Sequence, residues 1–381
     1  MVRNQLDSLQ RGFAQKICKA YRTVSLTSAL ILSGQLPLDL RVAEAATFFR
    51  IKKGYSHEFL PPGRDLERKV GYLQHPHPSK LTHLDYQQLE DFNSDTIDTH
   101  HVVGPHIYTD GSKIEGKVGA ALTWWSDGKE LKFRTFRLEP HNTVFQSELY
   151  ALFRAIKLFK ESKTGTASIL SDSRSSLDLL NCPLATHELA HNIKEMVREI
   201  RGEGRDVKLF WLRAHVGTPG NERADELAKK AALTKKTAPD YNKVPISFAK
   251  KSIREETVKR WQARYEASST GAVTKVFFPD VLVARRITKD STLTPALIQI
   301  LTGHGGFSAY LHRFHLKDSP SCVCDPAAEE TVWHLLFECP RFEETPFAQA
   351  SLLLQRLGTI GHTARTISVD AMVIDGVKGQ V

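Results

Sequence analysis

Apolar positions in the middle third of the chain alternate between the period of a β-strand and that of an α-helix. Two-residue alternation predicts strands, because successive side chains of a strand point to opposite faces. It is clearest at Val118, Ala120, Leu122, Trp124, Val207, Leu209 and Trp211. Spacings of three and four predict helices at Leu149, Leu152, Phe153, Ile156 and Phe159, and again at Leu189, Ile193, Val197 and Ile200. The predicted order is β-β-β-α-β-α-α-β-α, an α/β domain of roughly 130 residues.

Local signals at the ends of these elements sharpen the prediction. The first strand is expected to end at Asp110, which begins the turn-like sequence Asp-Gly-Ser. Asp127-Gly128 predicts a tight hairpin turn between the second and third strands. Thr143 and Gln146 have the spacing of a capping box, which marks the start of the first helix of this domain.

Composition divides the chain into six segments. They are a helical segment at 1–75, an acidic linker at 76–103, the α/β domain at 104–233, a basic helical connector at 234–318, a small cysteine-containing module at 319–345 and a tail at 346–381. The net charge of +9 is uneven, with 13 basic against 6 acidic residues over 1–80 and 13 against 5 over 231–289. Two basic blocks favour a polyanion such as nucleic acid as the partner. The alternative is that they are solvated helical surfaces.

Composition also excludes several classes of protein. With 41% hydrophobic residues the chain can bury a core, so it is not wholly disordered. No apolar run approaches the roughly 18 residues of a membrane span, and no hydrophobic secretion signal precedes the domain. Five cysteines in 381 residues do not make a disulfide framework. We therefore expect an intracellular protein that does not enter the membrane.

Four acidic residues fall at the edges of the predicted elements. Asp110 and Asp172 follow short apolar strands, Glu148 borders the apolar stripe of the first helix, and Asp225 lies near the start of the last helix. Singly, each suits a turn or a helix N-terminus. Together they would repel one another unless a cation neutralised them. Carboxylate oxygens favour Mg²⁺ or Mn²⁺, and two such ions about 3.5–4 Å apart can activate water against a phosphodiester.

A histidine accompanies the fourth carboxylate. His215 lies in a loop that contains glycine and proline, ten residues before Asp225. Histidine gains and loses protons near neutral pH, so it can serve as a proton carrier in catalysis. The alternative is an ordinary surface histidine.

These residues resemble the type I ribonuclease H family. The matching motifs are Tyr108-Thr109-Asp110-Gly111-Ser112, Gln146-Ser147-Glu148-Leu149, Ser171-Asp172-Ser173, and His215 with Asn221-Glu222-Arg223-Ala224-Asp225-Glu226-Leu227-Ala228. The resemblance implies an RNase H-like α/β fold, a five-stranded mixed sheet with helices on both faces, for residues 104–233. It also implies hydrolysis of the RNA strand of RNA–DNA hybrids.

The same resemblance assigns roles to individual residues. Asp110, Glu148, Asp172 and Asp225 would bind two Mg²⁺ ions, which Mn²⁺ can replace, and His215 would assist proton transfer or product release. The residues that would contact substrate are Gly111, Ser112, Gln146, Ser173 and Asn221.

The sequence departs from the family in two places. Val144 and Phe145 stand where some members have asparagines that contact RNA 2′-hydroxyls, the groups that distinguish RNA from DNA. No room remains between Asp172 and Asp225 for the extra basic helix that some members use to grip the hybrid. A catalytically idle nucleic-acid-binding remnant is therefore the alternative function.

The N-terminal segment resembles the thumb of reverse transcriptases from non-LTR retrotransposons. The similar residues are Gln10-Arg11, Ala20-Tyr21-Arg22-Thr23-Val24-Ser25, Ala29-Leu30 and Leu36-Pro37-Leu38. The paired aspartates of a polymerase are not found in the sequence, so we expect no polymerase activity.

Near the C-terminus, Cys322, Cys324, His334 and Cys339 have the spacing C-x-C-x₉-H-x₄-C. Three thiolates and one imidazole make a closed tetrahedral Zn²⁺ site of the structural kind. The alternatives are ordinary packing cysteines or a disulfide. The segment 319–345 resembles the CCHC zinc knuckle that ends retrotransposon polyproteins, which is associated with binding of the element's RNA or target DNA.

The whole chain thus resembles the C-terminal part of a non-LTR retrotransposon Pol polyprotein. The implied partners are an RNA–DNA hybrid, element RNA and target DNA. The implied localisation is synthesis in the cytoplasm and action in the nucleus. In the basic connector, Trp261 and Tyr265 are either base-stacking residues or core residues four positions apart on one helix.

Overall fold

The computed structural model describes residues 2–55, 58–75, 77, 83–89, 102–290 and 293–342. These residues form two compact units, one made of the described residues up to 47 together with those between 253 and 342, the other of the described residues between 48 and 252. We call them the helical unit and the sheet unit.

The strands found among the described residues belong to the sheet unit. They are β1 Tyr86–Leu89, β2 His106–Ile114, β3 Lys117–Ser126, β4 Lys129–Leu138, β5 Thr166–Ser171 and β6 Asp206–Leu212. Within the described residues they form one six-stranded sheet in the order β1-β6-β5-β2-β3-β4. β2, β3 and β4 are antiparallel, whereas β1, β6, β5 and β2 run parallel.

The helices divide between the two units. They are α1 Val2–Ile17, α2 Leu26–Leu32, α3 Leu38–Lys52, α4 Val144–Lys160, α5 Arg174–Asn181, α6 Glu188–Gly202, α7 Pro219–Thr234, α8 Ile246–Ala267, α9 Ala272–Phe277, α10 Val281–Asp290, α11 Pro295–Thr302, α12 Ser308–Arg313 and α13 Val332–Phe337. Short 3₁₀ turns occur at Tyr72–Gln74 and Pro340–Phe342.

Helices cover both faces of the sheet. Ile107 belongs to the core shared with α4, α5 and α6. Its neighbour Tyr108 belongs to a second cluster with Ala224 of α7. This alternation is the two-residue period read from the sequence. The predicted mixed α/β fold and its order of elements are therefore confirmed.

Turn and cap signals also have their predicted forms. Asp127 and Gly128 both have positive φ, at 51° and 72°, as a two-residue hairpin turn requires. Thr143 and Gln146 form the capping box at the start of α4. The helix containing Asp225 begins at Pro219, whose fixed φ suits the first helical position.

The sheet has one strand more than the five expected. β1 comes from the stretch predicted as an acidic linker at 76–103, of which the structure describes 77, 83–89 and 102–103. It pairs in parallel with β6, and Leu84 and Leu89 are each only 1% exposed. Burial of these two leucines explains why a short polar run becomes a strand.

Two segments outside 104–233 close over the end of β4. Leu66 forms a parallel bridge with Val244, and Leu138 forms one with Tyr241. The Tyr241 hydroxyl donates to Glu67 at 2.5 Å. Tyr241 also belongs to the main core of the sheet unit. The contacts thus divide the predicted segments 1–75 and 234–318 between the two units.

The helical unit has its own apolar core. Leu30, Ile31, Trp261, Tyr265 and Phe278 are among its buried residues. Trp261 and Tyr265 are each 3% exposed, so they are core residues and do not present stacking surfaces. Across the described part of the chain, no helix combines the length and apolar character needed to cross a bilayer.

Candidate active site and cysteine cluster

Asp110 and Asp172 lie side by side where two parallel strands stop pairing. The pairing of β2 with β5 ends at Thr109 and Ser171, and each aspartate is the next residue. The expectation that β2 ends at Asp110 is wrong. Asp110 pairs with Ala121 of β3, and this antiparallel pairing carries β2 on to Ile114.

A close approach of α4 to β2 brings Glu148 to the same place. A Cβ at position 111 would lie 2.4 Å from the Glu148 backbone nitrogen and 2.7 Å from the Ser147 carbonyl carbon. Only glycine allows the helix backbone so close to the strand. The capping box fixes where α4 begins and so which of its residues faces Asp110.

Asp110, Glu148 and Asp172 form one cluster of carboxylates. Ligand oxygens of the three lie within 4.8 Å of one another. Asp110 is 6% exposed and Glu148 is 7% exposed, and Oδ2 of the first and Oε2 of the second have no hydrogen-bond partner. Buried carboxylates normally have partners. Orphaned oxygens of this kind fit a hard divalent cation such as Mg²⁺.

Asp225 lies in a second, neighbouring cluster. Ligand atoms of His215, Glu222 and Asp225 lie within 4.8 Å of one another. Asp225 accepts a 2.6 Å contact from Lys229, one turn further along α7. The prediction placed four carboxylates together, and the structure groups three of them and sets Asp225 beside His215. Glu222 was not predicted, although its i, i+3 spacing to Asp225 on one helix is a signal that identifies it.

Burial and mutual repulsion change how the carboxylates ionise. Burial first, and then the charges of Asp172 and Asp225, raise the pKa of Asp110 to about 7. Burial followed by the charge of Asp110 holds the pKa of Glu148 well above its usual range. Burial also raises the pKa of Asp172. Crowding of negative charge at this edge is therefore costly without a cation.

We expect this cost to show as a pH-dependent difference in stability between the protein and Asp110→Asn. The Asp110 pKa rises from 3.8 to about 7, so in this window the folded state holds a proton that the unfolded state has released. The unaltered protein therefore loses stability as pH rises from about 4 to 7, and a residue that cannot ionise does not. Thermal unfolding in EDTA at several pH values measures the difference. A difference independent of pH would contradict the raised pKa.

His215 occupies an exposed loop before α7. Its φ is 56°, and Gly217 two residues later has φ of 83°. These left-handed positions turn the loop so that the imidazole comes near Asp225. The charge of His215 also helps to lower the pKa of Asp172, against the larger effect of burial.

Two side chains hold Asp172 in place. Asn221 Nδ2 donates to Asp172 Oδ2 at 3.2 Å, and Trp211 Nε1 donates to the Asp172 carbonyl at 3.0 Å. Asn221 is 2% exposed, and its Oδ1 is buried without a partner. Asn221, predicted to contact substrate, thus contacts a carboxylate of the site.

The other residues predicted to contact substrate have different settings. Gly111 is buried under α4, and Gln146 is 2% exposed with its side-chain oxygen accepting from Thr143. Ser112 and Ser173 are half-buried, and Ser173 donates to Ser176 at 2.8 Å. Their contacts with substrate stay a prediction.

The four residues with zinc-ligand spacing come together in the helical unit. Ligand atoms of Cys322, Cys324, His334 and Cys339 lie within 4.8 Å of one another. The Cys322 and Cys339 sulfurs are 3.8 Å apart, too far for a disulfide, and Cys324 Sγ lies 3.2 Å from His334 Nε2. A tetrahedral site with Zn–S bonds of about 2.3 Å needs sulfurs about 3.8 Å apart.

Local structure presents the histidine of this cluster. Thr331 caps α13 by accepting from the His334 backbone N–H at 3.1 Å. Glu338 lies 3.5 Å from His334 Nδ1, the position of a carboxylate that orients a ligand histidine. Burial raises the pKa of Cys322, but hydrogen bonds from Cys324, His334 and Cys339 outweigh it and lower that pKa to about 7.

Comparison with known proteins places this site in a family. Residues 104–233 match the RNase H family. A retrovirus-related Pol polyprotein of the type-1 retrotransposable element R1 from Bradysia coprophila is 34% identical over 111 residues, 29% of this chain and 11% of that protein. The retrovirus-related Pol polyprotein of element R1 4 from Nasonia vitripennis is 40% identical over 95 residues, which make up 24% of this chain and 23% of that protein. The chain therefore spans less than a quarter of either of these relatives.

A shorter relative is covered almost completely. A ribonuclease H from Campylobacter jejuni is 30% identical over 135 residues, which make up 33% of this chain and 90% of that protein. The resemblance that the motifs indicated is thus confirmed. The chain belongs to the ribonuclease H family of hydrolases and is homologous to the Pol polyproteins of R1 retrotransposable elements.

Proposed function

We propose that the sheet unit hydrolyses the RNA strand of RNA–DNA hybrids with the help of two divalent ions. The single observation that carries this proposal is the cluster of Asp110, Glu148 and Asp172, which keeps buried carboxylate oxygens without partners at one edge of the sheet. A structural role would not need three like charges at this spacing, since they repel. Family membership supplies the substrate class.

Each residue of the site has a role in this proposal. Asp110, Glu148 and Asp172 would hold Mg²⁺, or Mn²⁺ in its place, with Asp225 from the neighbouring cluster. When bound, such ions supply an activated water and stabilise the leaving oxygen of a phosphodiester. Asn221 and Trp211 fix the orientation of Asp172.

His215 acts from outside this group. Its exposed position beside Asp225 lets it accept and release a proton at the surface of the site. Glu222 belongs to the same cluster and can help to hold the imidazole in place.

The proposal is tested with the full chain and a hybrid that carries a label on its RNA strand. We expect Mg²⁺-dependent cleavage of that RNA, and no cleavage of a DNA duplex of the same sequence. If the chain is instead a catalytically idle nucleic-acid-binding remnant, it should bind the hybrid without cleaving it. Assembly of the carboxylate cluster argues against such a remnant, because a fold that has lost catalysis gains nothing from repulsion between buried carboxylates.

We further propose that the chain has no polymerase activity. Extension of a labelled primer on an RNA template measures this activity.

We also propose that Cys322, Cys324, His334 and Cys339 bind one structural Zn²⁺. Their mutual distances and the orienting position of Glu338 support it. All four tetrahedral positions are filled by protein atoms, so no position stays open for catalysis. Binding of element RNA or target DNA by this segment, and action in the nucleus, are parts of the same proposal that rest on the retrotransposon relatives.

Replacing Cys339 with serine is expected to abolish zinc binding. A three-ligand site loses most of its affinity, and because metal binding supplies folding energy here, the segment 319–342 should unfold. Zinc content per chain by elemental analysis should fall from one to near zero, with faster proteolysis of that segment.

Cys182→Ser is the matched control. Cys182 is an exposed free thiol of the sheet unit, so zinc content should not change. Zinc-free protein, or equal zinc content in the protein and in Cys339→Ser, would contradict the assignment.

A further inference from the structure

Two arginines of the helical unit share a single carboxylate. Arg41 of α3 lies 2.6 Å from Glu44 Oε2, and Arg254 of α8 lies 3.2 Å from the same oxygen. The Glu44 side chain is 13% exposed. One negative charge therefore balances two positive charges at this point.

A third arginine lies beside them. Arg285 of α10 is half-buried, and within the described residues its guanidinium has no ion pair or hydrogen bond. Burial first, and then the charges of Arg254 and Arg41, lower the pKa of Arg285, against the opposite effect of Glu44. We call Arg41, Arg254, Arg285 and Glu44 the arginine cluster, which has a net charge of +2.

A balanced pair in the same unit shows what a purely structural arginine looks like. Arg264 donates to both oxygens of Asp39, each at 2.7 Å. Arg3 also lies 4.0 Å from Asp39, but it has Asp7 at 3.6 Å as its own partner, so two carboxylates balance two guanidinium groups here. The arginine cluster has three guanidinium groups from three helices and one carboxylate. The excess positive charge of the arginine cluster opposes folding, because like charges repel. The unit does not need the arginine cluster for its packing, since Trp261 and Tyr265 belong to a separate apolar core.

We propose that the arginine cluster binds the backbone phosphates of a nucleic-acid duplex. Guanidinium groups match phosphate oxygens in geometry, and their combined charge attracts a diester anion. Arg41 is 56% exposed, so a phosphate on a large molecule can reach it. The net charge of +9 adds attraction at longer range, which favours a polyanion over a single small anion.

The proposal is independent of cleavage, since the carboxylate cluster belongs to the sheet unit. The probe is a fluorescent DNA duplex of about 20 base pairs, with anisotropy measured on the full chain in EDTA at several salt concentrations. For Arg254→Met with Arg285→Met, we expect affinity at 0.1 M salt to fall roughly tenfold or more. The slope of log affinity against log salt should also fall by about 2, one for each lost phosphate contact.

The matched control lies on the same helix. Arg260 is 55% exposed and is paired with Glu256 at 3.0 Å, so Arg260→Met removes an equal charge that is already balanced. Its affinity should change by less than about twofold. An equal loss in this variant would overturn the proposal, because net charge alone would then explain binding.

Glu44→Gln supplies a test of opposite sign. Removing the one carboxylate raises the net charge of the arginine cluster, so duplex affinity should rise by about threefold or more. Local unfolding would lower affinity, so a rise cannot come from damage. Unchanged affinity in both the double variant and Glu44→Gln would overturn the proposal. A further outcome would also overturn the proposal. If millimolar inorganic phosphate competes for the arginine cluster while duplex binding does not depend on these arginines, the cluster is a small-anion site.

Discussion

Asp110→Asn is expected to lower the rate of hybrid cleavage by roughly 10³-fold or more at saturating Mg²⁺. The asparagine keeps the shape of the side chain but removes a charged ligand from the most buried part of the carboxylate cluster. Hybrid binding in EDTA should survive, because the change removes negative charge from a surface that receives a polyanion. Single-turnover cleavage of labelled RNA separates the two effects.

Asp127→Asn is the matched control for this change. Asp127 lies in the exposed β3–β4 hairpin turn with φ of 51°, a conformation that asparagine tolerates as well as aspartate. It should cleave at the rate of the unaltered protein. Cleavage by Asp110→Asn within a few-fold of that rate would reject the proposed site.

Gly111→Ala is expected to destabilise the sheet unit strongly and to disturb the carboxylate cluster at the same time. The added Cβ would lie 2.4 Å from the Glu148 nitrogen and 2.7 Å from the Ser147 carbonyl carbon, and backbone atoms cannot move aside as a flexible side chain can. We expect a loss of roughly 3 kcal/mol or more in the free energy of unfolding. Since relief requires α4 to move away from β2, Glu148 would separate from Asp110. Cleavage should therefore fall even at a temperature where the variant remains folded.

Gly165→Ala is the matched control. It tests whether the expected loss of stability comes from the position of Gly111 or from replacing any glycine with alanine. A Cβ at position 165 meets nothing within 4 Å, and the backbone there has no positive φ. Its free energy of unfolding should change by less than about 1 kcal/mol, with unchanged cleavage. Denaturant unfolding and cleavage assays on both variants make the comparison, and equal effects at the two positions would refute the close-approach argument.

The order of elements in the sheet unit could be predicted because its apolar periods are strong. The side chains of Ile107 and Tyr108 point into different cores, as the two-residue period requires. The end of β2 could not be predicted. Asp110-Gly111-Ser112 has the composition of a turn, and only its pairing with β3 shows that the strand continues.

Other features depend on partners distant in sequence. β1 is a run of four residues, Tyr86–Leu89, with two glutamines, and only the free edge of β6 makes it a strand. The separation of Asp225 from the other three carboxylates depends on how α7 packs across β2 and β3. Cysteine spacing, by contrast, was sufficient to predict that Cys322, Cys324, His334 and Cys339 come together, whereas their binding of zinc stays a prediction.

The bridges of Leu66 with Val244 and of Leu138 with Tyr241 have a consequence for how the enzyme is dissected. The family match ends at residue 233, but the contacts that complete the sheet unit continue to Val244. A fragment cut at 104 and 233 would lose the Tyr241 ring from beside Tyr150 and leave the outer edge of β6 without β1. We therefore expect a fragment that begins before Leu66 and ends after Val244 to be more stable than one cut at 104 and 233.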